Sequence, residues 1–176
     1  LGRNHGMDFS LEPYDLNPCG DLTLGGVADV PQCEFWSKGL GAPTEYSCFE
    51  AVSVGHTMGR PIIAAEAFTS NGNEQWQQHP GSMKAQTDWA LCAGINRFDF
   101  HRYQHQPHLD RFPGMTMGPY GVYWEHTQTW WDMVPAYHAY LSRCQQMLRR
   151  GLFVADILYL ATCLLYTSDA ADEEDS

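Results

Sequence analysis

The chain has 176 residues, with 10 Lys and Arg against 21 Asp and Glu for a net charge of −11, and it is 44% hydrophobic and 13% aromatic. That composition is globular, and the length is about that of one ordinary domain. The few basic residues are scattered, so the field that attracts nucleic acid is missing, and no apolar run reaches the ~20 residues that span a bilayer.

Short apolar stretches ending in a polar residue alternate with longer helical patterns, the βα rhythm of a parallel sheet. Met7–Glu12 reads as a strand stopped by Pro13, and Gln32–Trp36 as a short strand among Gly and Pro. Thr44 reads as the N-cap of a helix that carries Tyr46, Phe49 and Ser53 on one face and ends at Gly59. Ile62–Phe68 reads as a buried strand, and Asn71–His79 as a polar loop holding Trp76. Pro80 opens the next helix, which runs to Ala93 and is stopped by Gly94, and Ile95–His101 is the following strand.

Arg102–Gln128 is a loop longer than a connector needs and too aromatic for disorder, which marks it as functional. A helix is expected over Thr129–Arg150, kinked or begun at Pro135. Its sheet-packing stripe is Tyr137, Tyr140, Leu141, Cys144 and Leu148. Gly151 caps it, and Leu152–Leu160 reads as a last strand. The scheme requires Ile62–Phe68 and Ile95–His101 to be parallel, with Pro80–Ala93 as crossover.

Cys19, Cys33, Cys48, Cys92, Cys144 and Cys163 contain no CxxC pair, so most are expected to be core thiols. The chain begins at Leu1 without an initiator Met and is expected to be part of something larger. From Cys163 the text changes abruptly to Cys-Leu-Leu-Tyr-Thr-Ser-Asp-Ala-Ala-Asp-Glu, which reads as translated sequencing adapter. The expected division is therefore a domain over 1–162 and a non-native, disordered acidic tail over 163–176.

In a (β/α)8 barrel, chemistry gathers at the carboxyl ends of strands. Glu12, Glu34 and Glu66 sit at such places, and Glu66 ends an apolar run where a charge needs either a partner or a task. An ion pair with Arg60 or Arg97 is the structural alternative for Glu66, and a turn at Pro13 is the alternative for Glu12. Asn96, His101 and His105 are candidates for hydrogen bonding to a polyhydroxylated ligand. The His101, His105 and His108 set is a poor zinc site because Pro107 and the strand-to-loop context break any helical ligand face. Trp36, Trp76, Trp124, Trp130 and Trp131 are candidate sugar-stacking platforms, with ordinary core packing as the alternative. Several carboxylates with His, Asn and aromatics, and neither a phosphate cradle nor a Ser nucleophile elbow, point to glycoside hydrolysis.

The stretches Val-Pro-Gln-Cys-Glu-Phe-Trp, Gly-Arg-Pro-Ile-Ile-Ala-Ala-Glu-Ala-Phe-Thr-Ser, Gly-Ile-Asn-Arg-Phe-Asp-Phe-His-Arg-Tyr-Gln-His-Gln-Pro, Pro-Gly-Met-Thr-Met-Gly-Pro-Tyr-Gly and Gln-Thr-Trp-Trp carry a resemblance. In this order, from about His5 to Leu160, the chain resembles the α-L-rhamnosidase-like proteins of glycoside hydrolase family 106. The resemblance implies an α/β fold, a partial (β/α)8 TIM-type barrel truncated at both ends. It also implies inverting hydrolysis of terminal α-L-rhamnosidic bonds in a glycoside or oligosaccharide, with a calcium ion (Ca2+) helping to bind the sugar.

By position, Glu34 and Glu66 match the family's carboxylate cluster, as base or as calcium ligands. The general acid is expected upstream, and a periplasmic or extracellular site for the parent protein. The competing expectation is a non-catalytic carbohydrate-binding or structural barrel. Convergence of Glu34 and Glu66 with His101 or His105 in one cleft separates the two. An isolated part of a barrel leaves sheet edges unpaired and is expected to be inactive.

Overall fold

The computed structural model describes residues 2–13, 20–37, 44–71, 77–116, 118 and 120–160, with backbone only at 44–45. Trp76 and the segment from Cys163 onward lie outside the described residues. Four strands lie side by side in chain order: β1 (Ser10–Leu11), β2 (Val30–Trp36), β3 (Ala64–Thr69) and β4 (Arg97–Phe100). All three pairings are parallel. Helices α1 (Asp21–Gly26), α2 (Thr44–Thr57) and α3 (Pro80–Ala93) follow β1, β2 and β3, and α4 (Val134–Leu148) follows the long loop after β4. The expected parallel pairing of the third and fourth strands, with Pro80–Ala93 as crossover, is what the fold contains.

Residue chemistry accounts for the boundaries. Pro80 lies in the first turn of α3, where its missing N–H costs nothing, and Gly94 closes the helix at φ 116°. Pro135 plays the same part in α4, which starts at Val134 after a short 3-10 turn over Trp131–Met133. The first strand is shorter than Met7–Glu12: only Ser10–Leu11 is strand. Just before it, the Phe9 N–H is taken by the Asp29 carboxylate at 3.0 Å.

Alternation along β2 sends Cys33 and Phe35 into the helix-covered core and leaves Gln32, Glu34 and Trp36 half-buried on the other face. Ala65 and Ala67 of β3 and Phe98 of β4 join that core, with Cys48, Ala51 and Val52 from α2 and Met83, Ala90 and Leu91 from α3. Helix α2 turns Tyr46, Phe49 and Ser53 outward; the small residues on its other side allow close packing. At Gly55 an added Cβ would stand 2.4 Å from Ile63 Cγ1, so only glycine fits.

Cys33 and Cys48 place their Sγ atoms 3.2 Å apart in this core, where burial pushes the Cys33 thiol well up and leaves it protonated. That agrees with core thiols, whereas Cys92 is exposed.

The expected strand at Leu152–Leu160 is absent. The segment makes no ladder and Leu152 and Leu160 are more than 90% exposed. Apolar alternation makes a strand only where a neighbour offers N–H and C=O groups, and among the described residues none pairs with this one. Phe153 stacks on His56, ring centroids 3.7 Å apart. No helix among the described residues is long and apolar enough to cross a membrane.

Helices α3 and α4 are joined by a buried hydrogen bond of 2.5 Å between the Thr87 and Tyr137 hydroxyls. Burial pushes the Tyr137 hydroxyl up to about 12 from an ordinary 10.0. A raised value means that the unfolded chain loses this proton first, so stability falls as pH rises between 10 and 12. The loss should reach roughly 3 kcal/mol across that window. Replacing Tyr137 by Phe should flatten the alkaline limb of unfolding measured against pH; an unchanged limb would show that this hydroxyl is not responsible.

Candidate functional site

In parallel strands, paired residues point to the same face, and the register sets Glu34 of β2, Glu66 of β3 and Asp99 of β4 in one row. The layer below, toward the amino ends, holds Gln32, Ala64 and Arg97. Glu12 lies just past β1, and its carboxylate accepts the Gln32 amide at 2.6 Å, one layer beneath the Glu34 level. Asp99 is engaged by Arg97 at 3.1 Å, and Arg60 is turned to Asp29 at 4.0 Å. These two arginines therefore serve other carboxylates than Glu66.

The half-buried His101, one residue beyond β4, lies in the field of this row. Burial lowers its affinity for a proton, Glu66 and Glu34 raise it, and Arg102 lowers it. Its imidazole Nδ1 is buried without a hydrogen-bond partner among the described residues. Gly121 lets the later part of the long loop lie against it, since a Cβ there would stand 2.6 Å from Nδ1. The loop is laced on by Val122 N–H to the His101 carbonyl at 2.8 Å and Arg102 N–H to the Val122 carbonyl at 2.7 Å.

A bulge shapes the middle of the site. Phe35 pairs with Ala67 and Trp36 with Thr69, so Phe68 is an extra residue in β3, at φ +65°. That conformation costs a non-glycine residue of order 1–3 kcal/mol and persists only where the surroundings fix it. Here Phe68 is fully buried, edge-on to Phe35 at 5.0 Å and stacked with Phe100 at 6.1 Å. The skipped residue brings Thr69 round to the Glu66 side, where its hydroxyl donates to Glu66 Oε1 at 2.9 Å. Trp36 stands two residues beyond Glu34 on the same strand, edge-on to Tyr120 at 5.9 Å.

Other expected ligand residues lie elsewhere. Asn96 is 5% exposed at the amino end of β4, and its amide is consumed by backbone: Oδ1 accepts the Ile63 N–H at 2.9 Å and Nδ2 donates to the Pro61 carbonyl at 3.0 Å. It brackets two strand starts at the end opposite the carboxylate row, which corrects its assignment to a sugar. Trp124 is 4% exposed, with Phe100 at 4.1 Å, Trp130 at 5.3 Å, His138 at 5.5 Å and Tyr137 at 6.0 Å. Protein rings cover its indole, so it is a core residue and offers no sugar platform. His105 is exposed, and its backbone forms an isolated antiparallel bridge with Met115.

Glu125 is the residue that sequence reading passed over. It is 1% exposed, and its carboxylate accepts the Thr127 N–H at 2.7 Å, the Thr127 hydroxyl and the Gln106 amide at 3.1 Å, with His126 Nδ1 at 3.4 Å. The signal was a lone acid in an otherwise uncharged Gly-Val-Tyr-Trp run.

The calcium ion that the resemblance implies would need oxygen donors from this row. Among the described residues no group of three His, Cys, Asp or Glu side chains converges on a point, and two carboxylates fall short of the six to eight oxygens that calcium takes. These residues alone do not fit the ion.

Residues 9–166 match the alpha-L-rhamnosidase family of glycoside hydrolases. A protein of Formosa agariphila that bears the name "Putative beta-glucuronidase" is 38% identical over 162 residues, which is 90% of this chain and 13% of that protein. The structure of a rhamnosidase from Novosphingobium sp. PP1Y superposes with a TM-score of 0.78 at 25% identity, covering 88% of this chain and 15% of that one. The likeness fits a partial barrel, and the chain spans only a small part of either protein.

Proposed function

Because the chain belongs to the alpha-L-rhamnosidase family of glycoside hydrolases, we propose that it forms part of the catalytic barrel of an inverting exo-glycosidase that removes terminal α-L-rhamnosyl residues. The observation that carries this reading is the register of Glu34 beside Glu66 on one sheet face, with His101 in the field of both. Glycoside hydrolysis needs one carboxyl group to protonate the leaving oxygen and another to activate water on the opposite face of the ring.

In this reading Glu66 is the base. It takes a proton from water as the water oxygen bonds to the anomeric carbon, while an acid from outside the described residues protonates the departing oxygen. In an inverting pair, acid and base stand roughly 6.5–9.5 Å apart, which leaves room for that water. Glu34 orients the water or a sugar hydroxyl, His101 hydrogen-bonds the sugar, and Trp36 offers a ring at the rim.

A row of three carboxylates favours a neutral deoxysugar over a uronate, whose own charge they would repel. A non-catalytic carbohydrate-binding barrel is disfavoured because the two glutamates stand side by side in one row on one sheet face.

The test uses the full-length reading frame that carries this segment. Glu66→Gln and Glu34→Gln should each lower kcat on an aryl α-L-rhamnoside by about 10²-fold, the scale of lost acid–base help. Near-wild-type turnover of both variants would remove them from the mechanism, and faster cleavage of an aryl β-glucuronide would replace the sugar.

A further inference from the structure

We propose that Thr69 is a positioning residue that sets the direction of the Glu66 carboxylate, and that the bulge at Phe68 exists to deliver it. The inference rests on the reading of Glu66 as the base. In a regular strand, residues three apart point to opposite faces, so Thr69 could not reach Glu66. The register skip between Phe35 and Trp36 removes that obstacle, and the Thr69 hydroxyl reaches Glu66 Oε1 at 2.9 Å.

The Phe68 backbone sits in the left-handed region, which phenylalanine adopts only under constraint, and its fully buried ring is held between Phe35 and Phe100. The core therefore fixes the bulge, and the bulge fixes the hydroxyl. A carboxylate in a row with Glu34 and Asp99 can turn toward either neighbour, and a donor on one oxygen selects a single orientation for it. The other oxygen is left for water. Thr69 is itself buried, which holds the donor in place on a carboxylate that is half-buried.

Two substitutions at Thr69, measured in the full-length enzyme on an aryl α-L-rhamnoside, test this. Thr69→Val keeps the shape and loses the donor; kcat should fall about tenfold or more with KM within threefold of wild type. Thr69→Ser keeps the hydroxyl and should restore kcat to within threefold. Wild-type kcat in the Val variant, with Glu66→Gln inactive, would overturn the inference while leaving the base in place. Equal losses in Val and Ser would also overturn it, since packing and not the hydroxyl would then be responsible. Full activity of Glu66→Gln would overturn the reading of the base itself, and this inference with it.

Discussion

Trp124→Ala is expected to remove about 3–5 kcal/mol of stability, the usual cost of deleting a buried Trp, and Trp124→Phe, which keeps one of the two rings, is expected to lose less. The indole is the hub of the ring cluster that holds β4, the long loop and α4 together, with Phe100, Trp130, Tyr137 and His138 all within 6.0 Å or less of its centroid. The void left by alanine would be walled by the rings of Phe100, Trp130, Tyr137 and His138, none of which has room to collapse into it without leaving its own contacts. Amide exchange of β4 and α4 in the full-length protein, read by mass spectrometry, measures the effect locally. Unchanged protection in the Ala variant together with a raised KM would return Trp124 to the role of a sugar platform.

The parts of the fold that were legible in the sequence are those marked by residues with a single local meaning. Pro80 and Gly94 bound α3 to the residue because one removes a donor and the other accepts positive φ. The apolar run ending at Glu66 marked β3, and the wording around Glu34 marked β2; parallel pairing fixes their direction but not their register, so the alignment of Glu34 with Glu66 is visible only in the structure. The bulge was not legible, because a phenylalanine at positive φ leaves no trace in its own letter; it is imposed by rings that arrive from two other strands.

Asn96 shows the same limit: a short amide at a strand start serves backbone or ligand equally well, and only the position of Pro61 and Ile63 decides. Leu152–Leu160 has the composition of a strand, but a strand is a property of two chains, and composition describes one. The face of α2 was open to misreading because its outward side carries Tyr46 and Phe49 while its packed side carries Cys48, Ala51 and Gly55. There close approach, not side-chain bulk, supplies the contact.

Glu125→Ala is expected to release the long loop and to slow turnover with it. Its carboxylate gathers the Thr127 N–H at 2.7 Å, the Thr127 hydroxyl and the Gln106 amide at 3.1 Å, so one side chain satisfies donors from two stretches of the loop. Gln106 also donates to the Pro113 carbonyl at 3.0 Å, as Gln104 does at 2.9 Å, which extends the bracing to the turn between them.

Removing a buried charge that its partners are built around costs roughly 3–5 kcal/mol, because every donor is left without water or acceptor. Glu125→Gln should recover only part of this, since its amide nitrogen turns a donor toward donors. The consequence reaches the site through the backbone: Trp124 N–H is bonded to the Arg102 carbonyl at 3.0 Å, and Val122 N–H to that of His101 at 2.8 Å. A loosened Glu125 therefore frees the cover over His101. Faster amide exchange and earlier proteolytic nicking across 102–128, with reduced kcat on an aryl α-L-rhamnoside, are the expected results for Ala. Loss of kcat with the loop as protected as in the wild type would mean that Glu125 acts on the substrate and not on the loop.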